Sequence, residues 1–292
     1  LLIELVRLVL RYIEEKKIEQ NQRYTAESKL FKLVKMSTLK LVSWNINGIR
    51  AVAKKGFYDW MDSEQPDILG LQETKISADQ LTPDILERKG YKSYFSHAEK
   101  RGYSGVGIYT RVEPVSIKEG FGVQRFDCEG RTLVADFGDF VMANIYFPNG
   151  AQNPERLQYK LDFYDAFYKW ANKIVKEGKK LTVCGDFNTA HQAIDLARPK
   201  ENEKTSGFLP VERAWMDKFI KAGYADTFRM YNQEPHNYSW WHMRTAARER
   251  NVGWRIDYFF TSKNLTDNVV NAGILNDVHG SDHCPVTIEL KT

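Results

Sequence analysis

From residue 39 onward the sequence is a succession of short apolar runs, and several of them close on a polar residue of a restricted kind. The run 39–44 delivers Asn45-Ile46-Asn47-Gly48, and 68–71 delivers Gln72 and then Glu73, its first acidic group. The run 140–147 carries Tyr146 near its end, and 181–184 leads into Gly185-Asp186-Phe187-Asn188. Near the C-terminus, Ser281-Asp282-His283-Cys284-Pro285 precedes a last apolar run, 286–290. Such runs, bounded by turn formers, read as strands. A strand that ends on a carboxylate, carboxamide or imidazole delivers that group to the edge of a sheet. One such end is a solvated terminus as readily as a ligand, and an isolated Asp-His pair is most often a surface turn. Several in one chain make the plain reading of each less tenable and point to a strand-rich fold.

Further strand-like runs occupy 91–95, 104–109, 132–137 and 253–260, the last with Asp257 inside it. Helices are expected at 57–63, across the aromatic-rich 155–176, and at 213–222. Residues 195–212 show little apolar periodicity and read as a long surface loop, a kind of segment that is often functional. No linker, low-complexity tract or internal repeat interrupts 37–292, so one domain over 36–292 is expected.

The chain has 292 residues, 42% hydrophobic and 27% charged, which is an ordinary globular composition. Of its formal +4, residues 1–35 hold +3, from eight Lys/Arg against five Glu. The remainder is close to neutral, so nucleic acid would have to be engaged by a local basic face and a metal rather than by bulk charge. Cys128, Cys184 and Cys284 lie far apart with no C-x-x-C spacing, which argues against a zinc framework or disulfide scaffold. A reducing, cytoplasmic setting is expected from that usage. No apolar run is long enough to span a membrane. In residues 1–35, Leu1, Leu2, Leu5, Val6, Leu8, Val9, Tyr12 and Ile13 recur at roughly helical spacing, broken by Glu4, Arg7 and Arg11. No small-residue cleavage site follows, so this stretch is expected to be an ancillary helix or a non-native extension rather than a signal peptide.

The collected polar groups are Asn45, Asn47, Glu73, Tyr146, Asp186, Asn188, Asp257, Asp282 and His283. Carboxylates and carboxamides without cysteine are hard oxygen ligands that favour Mg²⁺ or Mn²⁺ over zinc. Hydrolysis of a phosphodiester needs an activated water, neutralisation of charge on phosphorus, and help for the leaving oxygen. This set holds groups for each need, whereas no serine or cysteine lies in a nucleophile motif. Plainer readings exist one by one: Asp186 and Asn188 as a turn, Asp257 as a partner of Arg255 or Arg131, Tyr146 as a core ring. Jointly they are hard to sustain.

Six ordered segments carry a resemblance: Ser43-Trp44-Asn45-Ile46-Asn47-Gly48, Leu71-Gln72-Glu73-Thr74-Lys75, Asn144-Ile145-Tyr146-Phe147-Pro148-Asn149, Gly185-Asp186-Phe187-Asn188, Trp254-Arg255-Ile256-Asp257-Tyr258 and Ser281-Asp282-His283-Cys284-Pro285. Together they closely resemble the exonuclease III family of apurinic/apyrimidinic (AP) endonucleases, over 38–290. The resemblance implies a four-layer α/β sandwich, two packed, mainly antiparallel sheets flanked by helices. It implies a monomer that cleaves double-stranded DNA on the 5′ side of an abasic site to leave a 3′-hydroxyl, with some 3′→5′ exonuclease activity. Mg²⁺ is the implied cofactor, with Mn²⁺ as a substitute. Glu73 is the implied principal metal ligand, with Asn47 and Asp282 beside it. Asp186 would orient or deprotonate the attacking water, Asn45 and Asn188 would position the site and the phosphate, and Tyr146 would donate to the phosphate or assist the leaving group. His283, oriented by Asp257, would bind the phosphate. Trp240, Trp254 and Ile256 match the positions that line the pocket for a base-less sugar, which admits that sugar and excludes a normal nucleotide. Gln152, Arg156 and Arg244 fall in segments that resemble DNA-clamping loops. The same fold also serves inositol-phosphate phosphatases and sphingomyelinases, and a catalytically silent DNA-binding relative is a rival of another class. The segment 251–257 favours DNA repair, and the complete set of acids with the histidine argues against silence.

Overall fold

The computed structural model describes Lys16 and residues 38–292, and the reading of residues 1–35 lies outside the described residues. Residues Leu39–Leu290 form one compact unit. Among the described residues there are fourteen strands: β1 Thr38–Asn45, β2 Ile68–Gln72, β3 Lys92–Ser96, β4 Val106–Thr110, β5 Ser116–Glu119, β6 Thr132–Asp136, β7 Val141–Tyr146, β8 Leu181–Asp186, β9 Tyr224–Asp226, β10 Trp240–Trp241, β11 Gly253–Trp254, β12 Asp257–Ser262, β13 Val269–Ile274 and β14 Val286–Lys291. Twelve of them make two six-stranded sheets, in the orders β13-β14-β1-β2-β4-β3 and β5-β6-β7-β8-β12-β9, and β10 pairs with β11 alone.

Each large sheet contains a parallel pair, β1 with β2 and β7 with β8. Parallel neighbours end on the same side, so β1 and β2 bring Asn45 opposite Gln72, and β7 and β8 bring Tyr146 opposite Asp186. Strand β12 runs antiparallel to β8 and starts where β8 ends, pairing Asp257 with Asp186. That register turns scattered strand-end residues into one polar edge. The pairing of β7 with β8 depends on Gly185: at φ +135°, a Cβ would sit 1.8 Å from the Ile145 carbonyl oxygen.

The sheets face each other across Leu41, Ile68, Val106 and Ile108 on one side and Leu133, Ala135, Met142, Cys184 and Phe259 on the other. Asn144 crosses this layer, its amide donating to the carbonyls of Leu71 at 3.1 Å and Gly107 at 2.8 Å while its oxygen accepts from Gln72 at 2.6 Å. The outer face of the second sheet packs Ala143, Ile145, Val183 and Phe260 against Phe163, Tyr164 and Phe167 of helix Pro154–Lys176 and Trp215 and Phe219 of helix Pro210–Lys221. The outer face of the first packs Val42, Trp44, Leu69 and Leu71 against Ile49 and Val52 of helix Ile49–Ala53 and Phe57 and Met61 of helix Phe57–Glu64. The expected four-layer α/β sandwich is therefore present.

Two local readings are corrected. The run 253–260 is two strands, because Arg255 turns inward to Asp195 and Asp226 and the chain re-enters the sheet only at Asp257. The segment 195–212 is a surface loop only in part: 198, 200, 201 and 203–205 are exposed, but Asp195, Leu196, Phe208 and Glu212 are buried, and it holds the short helix Pro199–Asn202 and the start of helix Pro210–Lys221. Isolated apolar side chains that plug a site leave no periodic signal. Strands β5, β9 and β13 were not legible in the sequence, being short or partly exposed.

Candidate active site

The strand ends converge. Asn45, wholly buried at the end of β1, donates through Nδ2 to Glu73 Oε1 and to Asp186 Oδ2, both at 2.9 Å. A single carboxamide thus ties a carboxylate of the first sheet to one of the second. Its oxygen accepts from the Asn47 backbone at 3.1 Å. Asn47, Glu73 and Asn188 all have left-handed backbones, at φ 48°, 51° and 51°. Non-glycine residues hold that conformation only where surroundings enforce it, and such strain concentrates at functional sites.

Asp186 is buried, and Oδ1 accepts from the Asn188 backbone at 2.7 Å. Burial and the neighbouring Asp257 charge push its carboxyl up to about 7, with His283 opposing them. His283 donates Nδ1–H to Asp257 Oδ2 at 2.9 Å, and its Nε2 lies 3.9 Å from Asp186 Oδ2. Burial alone would lower the imidazole, but the charge and hydrogen bond of Asp257 outweigh it and raise it to about 10. Ser239 completes the brace: its hydroxyl donates to Asp257 Oδ2 at 2.6 Å and accepts from the Asp257 backbone at 3.1 Å. The plainer reading of Asp257 as a partner of Arg255 or Arg131 is excluded, because Arg255 pairs with Asp195 and Asp226, and Arg131 with Glu129.

Glu73, Asp186 and His283 present ligand atoms within 4.8 Å of one another. Asn47, Glu73 and Asp282 are joined around a cation already in place: Lys75 Nζ contacts Glu73 Oε2 at 2.8 Å and Asn47 Oδ1 at 2.5 Å, and Asn47 Nδ2 donates to Asp282 Oδ1 at 2.9 Å. Burial acts to raise Glu73, but Lys75 and the Asn45 hydrogen bond hold it below the usual carboxylate range. Burial likewise opposes the low value of Asp282, which His283, Asn47 and Trp240 maintain. Two carboxylates and a carboxamide held together, with Glu73 and Asn47 already sharing one cation, are hard oxygen donors of the kind a divalent cation takes, so these residues fit one. Lys75 stood inside a quoted motif without a role, and its position two residues after Glu73 was the available signal.

Tyr146 is gripped from behind by Arg131, whose guanidinium lies 4.6 Å from the ring centroid and donates to the Tyr146 carbonyl at 3.0 Å. Burial and the Glu73 charge raise its phenol well above the ordinary value, with Arg131 opposing them, so it stays a proton donor at neutral pH. Arg156 points to Glu129 at 2.7 Å and to the Tyr103 hydroxyl at 2.7 Å. Burial works against the ionised Glu129, but Arg156 and Arg131 take it down to about 2. Arg156 is therefore part of a braced network rather than a solvated basic face. Gln152 and Arg244 are exposed.

Beside His283, a small apolar cluster combines Ala190, Leu196, Phe208 and Ile256 with half-buried Trp240 and Trp254. The two indoles meet edge to face at 6.3 Å, and Trp240 Nε1 donates to Asp282 Oδ2 at 3.1 Å. Of the expected pocket residues, Trp240, Trp254 and Ile256 are thus together; Leu196 and Phe208 join them from the segment read as a loop.

The "Endonuclease/Exonuclease/phosphatase family" model matches residues 42–283. The chain is 40% identical over 252 residues to an exodeoxyribonuclease of Bacillus subtilis, covering 86% of this chain and 98% of that one. It is 40% identical over 257 residues to the DNA repair nuclease APEX1 of Danio rerio, covering 87% and 83%. Among solved structures, an AP endonuclease from Archaeoglobus fulgidus superposes with a TM-score of 0.79 at 28% identity, over 86% of this chain and 99% of that one.

Proposed function

The chain belongs to the endonuclease/exonuclease/phosphatase family, and from that premise we propose that it is a base-excision repair nuclease. It hydrolyses the phosphodiester 5′ to an abasic site in double-stranded DNA, leaves a 3′-hydroxyl, and trims 3′ ends as a secondary activity. The observation that carries the reading is the Asn45 bridge between Glu73 and Asp186, which fuses the edges of both sheets into one acidic site beside His283 and an apolar cluster.

Asp186, with a carboxyl near neutrality, takes the proton of the attacking water, and proton transfer at matched pKa is where a general base is most effective. Asn45 and the backbone of Asn188 fix that carboxylate, while the Asn188 side chain, held by the Phe147 carbonyl at 2.9 Å, sits where it helps to place the phosphate. Protonated His283 faces the phosphate with Nε2–H and stabilises the charge that develops there, its ring held by Asp257. Tyr146 donates its phenolic proton toward the phosphate or the departing oxygen. Glu73, with Asn47 and Asp282, would hold Mg²⁺, displacing Lys75. When bound, that ion supplies charge neutralisation at the phosphate oxygens, and Mn²⁺ would serve as well. Trp240, Trp254, Ile256, Leu196 and Phe208 would receive the sugar that lacks a base; Gln152 and Arg244 are exposed on flanking segments suited to the DNA backbone, and Arg156 would brace its segment through Glu129. The domain that does this spans 36–292.

An end-labelled duplex with one abasic-site analogue tests the reading. A single cut on the 5′ side, giving an end that a polymerase extends and abolished by EDTA, is expected. Release of mononucleotides from the ends with no internal cut, or hydrolysis only of a small phosphate ester, contradicts it.

A further inference from the structure

Behind the site lies a buried ion pair that none of the roles above uses. Lys160, from helix Pro154–Lys176, and Glu212, from helix Pro210–Lys221, meet at 2.6 Å with both side chains wholly inaccessible to solvent. Lys160 Nζ spends its three protons on three different partners: the Asn188 carbonyl at 2.7 Å, the Thr189 hydroxyl at 2.8 Å and Glu212 Oε1. Glu212 in turn accepts from Ser206 Oγ at 3.0 Å, from the Gly207 backbone at 2.6 Å and from the Leu209 backbone at 3.0 Å. Every polar atom of the pair is therefore committed to one of two segments. One is the turn that follows Asp186; the other is the stretch that contributes Phe208 to the apolar cluster.

The segments also touch directly. The Ala190 backbone donates to the Gly207 carbonyl at 2.8 Å. Gly207 is so close that a Cβ there would lie 3.2 Å from both the Asn188 carbonyl oxygen and the Trp254 ring. An ion pair in this position contributes little net stability, since desolvating both charges offsets their attraction. What it does supply is fixed geometry at both ends. We propose that Lys160 and Glu212 are positioning residues that lock the Asp186–Asn188 turn to the pocket segment, so that the water-activating carboxylate and the sugar pocket keep one mutual placement. The proposal rests on the functional reading above only for its kinetic consequence.

Removing one charge leaves the other buried and unpaired, and such a variant would fail through stability alone. The test therefore uses Lys160→Met with Glu212→Gln, which is neutral and keeps an acceptor for Gly207 and Leu209. The double variant is expected to unfold cooperatively near the wild-type temperature. By hydrogen exchange it loses protection at Asn188 and Ala190 together with Gly207 and Leu209, although the amide acceptors of Asn188 and Ala190 are untouched. On the abasic duplex kcat falls about 10- to 100-fold, the scale of a small misplacement of reacting groups, while KM moves by less than about threefold. A folded double variant with wild-type kcat and wild-type protection at Asn188 and Ala190 overturns the proposal. So does a loss of protection spread evenly over the whole chain. If the wild type itself leaves abasic DNA intact, the functional reading fails, and the exchange pattern still decides the coupling.

Discussion

His283 and Asp257 share one short contact, and Ser239 braces Asp257 from the far side. Asp257→Asn removes the charge while keeping the shape. The imidazole, raised to about 10 in the folded protein from an ordinary 6.5, should then titrate at lower pH than in the wild type, as NMR of the His283 ring would show. Its effect on stability has a definite sign. A raised folded-state value stabilises fully below the unfolded value of 6.5 and is lost as pH rises through about 10. Denaturation midpoints of wild type and Asp257→Asn should differ most at pH 6 and converge above pH 10; a gap that widens with pH contradicts this pairing. At this scale much of the site was legible, because Glu73, Asp186, Asp282 and His283 lie in contiguous motifs at strand ends. Ser239 and the Lys160–Glu212 pair were not, since Ser239 and Asp257 are 18 positions apart, Lys160 and Asn188 28, and Lys160 and Glu212 52; Lys75 offered only its nearness to Glu73.

The elements do the positioning through register. Gly185→Ala would drive a methyl into the Ile145 carbonyl at 1.8 Å and force a conformation that alanine avoids. We expect a loss of about 4 kcal/mol or more, at the limit of what single substitutions cost, measured as failure to fold or a collapsed unfolding midpoint. The apolar cluster proposed to receive the sugar is a second product of element assembly. Trp254→Ala opens one wall of the Trp240–Trp254–Phe208 cluster, and should cut discrimination between abasic and intact nucleotides about tenfold. The ratio of 5′-side incision to 3′-end trimming is the readout, and an unchanged ratio means that this ring does not shape the pocket. Strands with uninterrupted apolar runs were readable because burial on both faces leaves that signature. The contribution of the 195–209 stretch was not, since Leu196 and Phe208 are single plugs in otherwise polar sequence.

For the whole molecule, residues Leu39–Leu290 are compact by themselves, and nearly all of the formal excess positive charge sits before them. A chain of residues 38–292 should therefore incise with kcat within about twofold of the full chain, because no catalytic group is removed. Lower affinity at low salt is its expected difference, since fewer cations meet the phosphates; a large fall in kcat would place part of the machinery in the first 37 residues. The proposed hydrolysis depends on Asp186 taking the proton of the attacking water. Single-turnover incision of an abasic duplex by Asp186→Asn, in saturating Mg²⁺ and with DNA binding measured in parallel, tests it most directly. The prediction is unimpaired binding with a rate reduced about 10²- to 10⁴-fold, the range of a lost general base. A variant that cuts within a few-fold of wild type would contradict it.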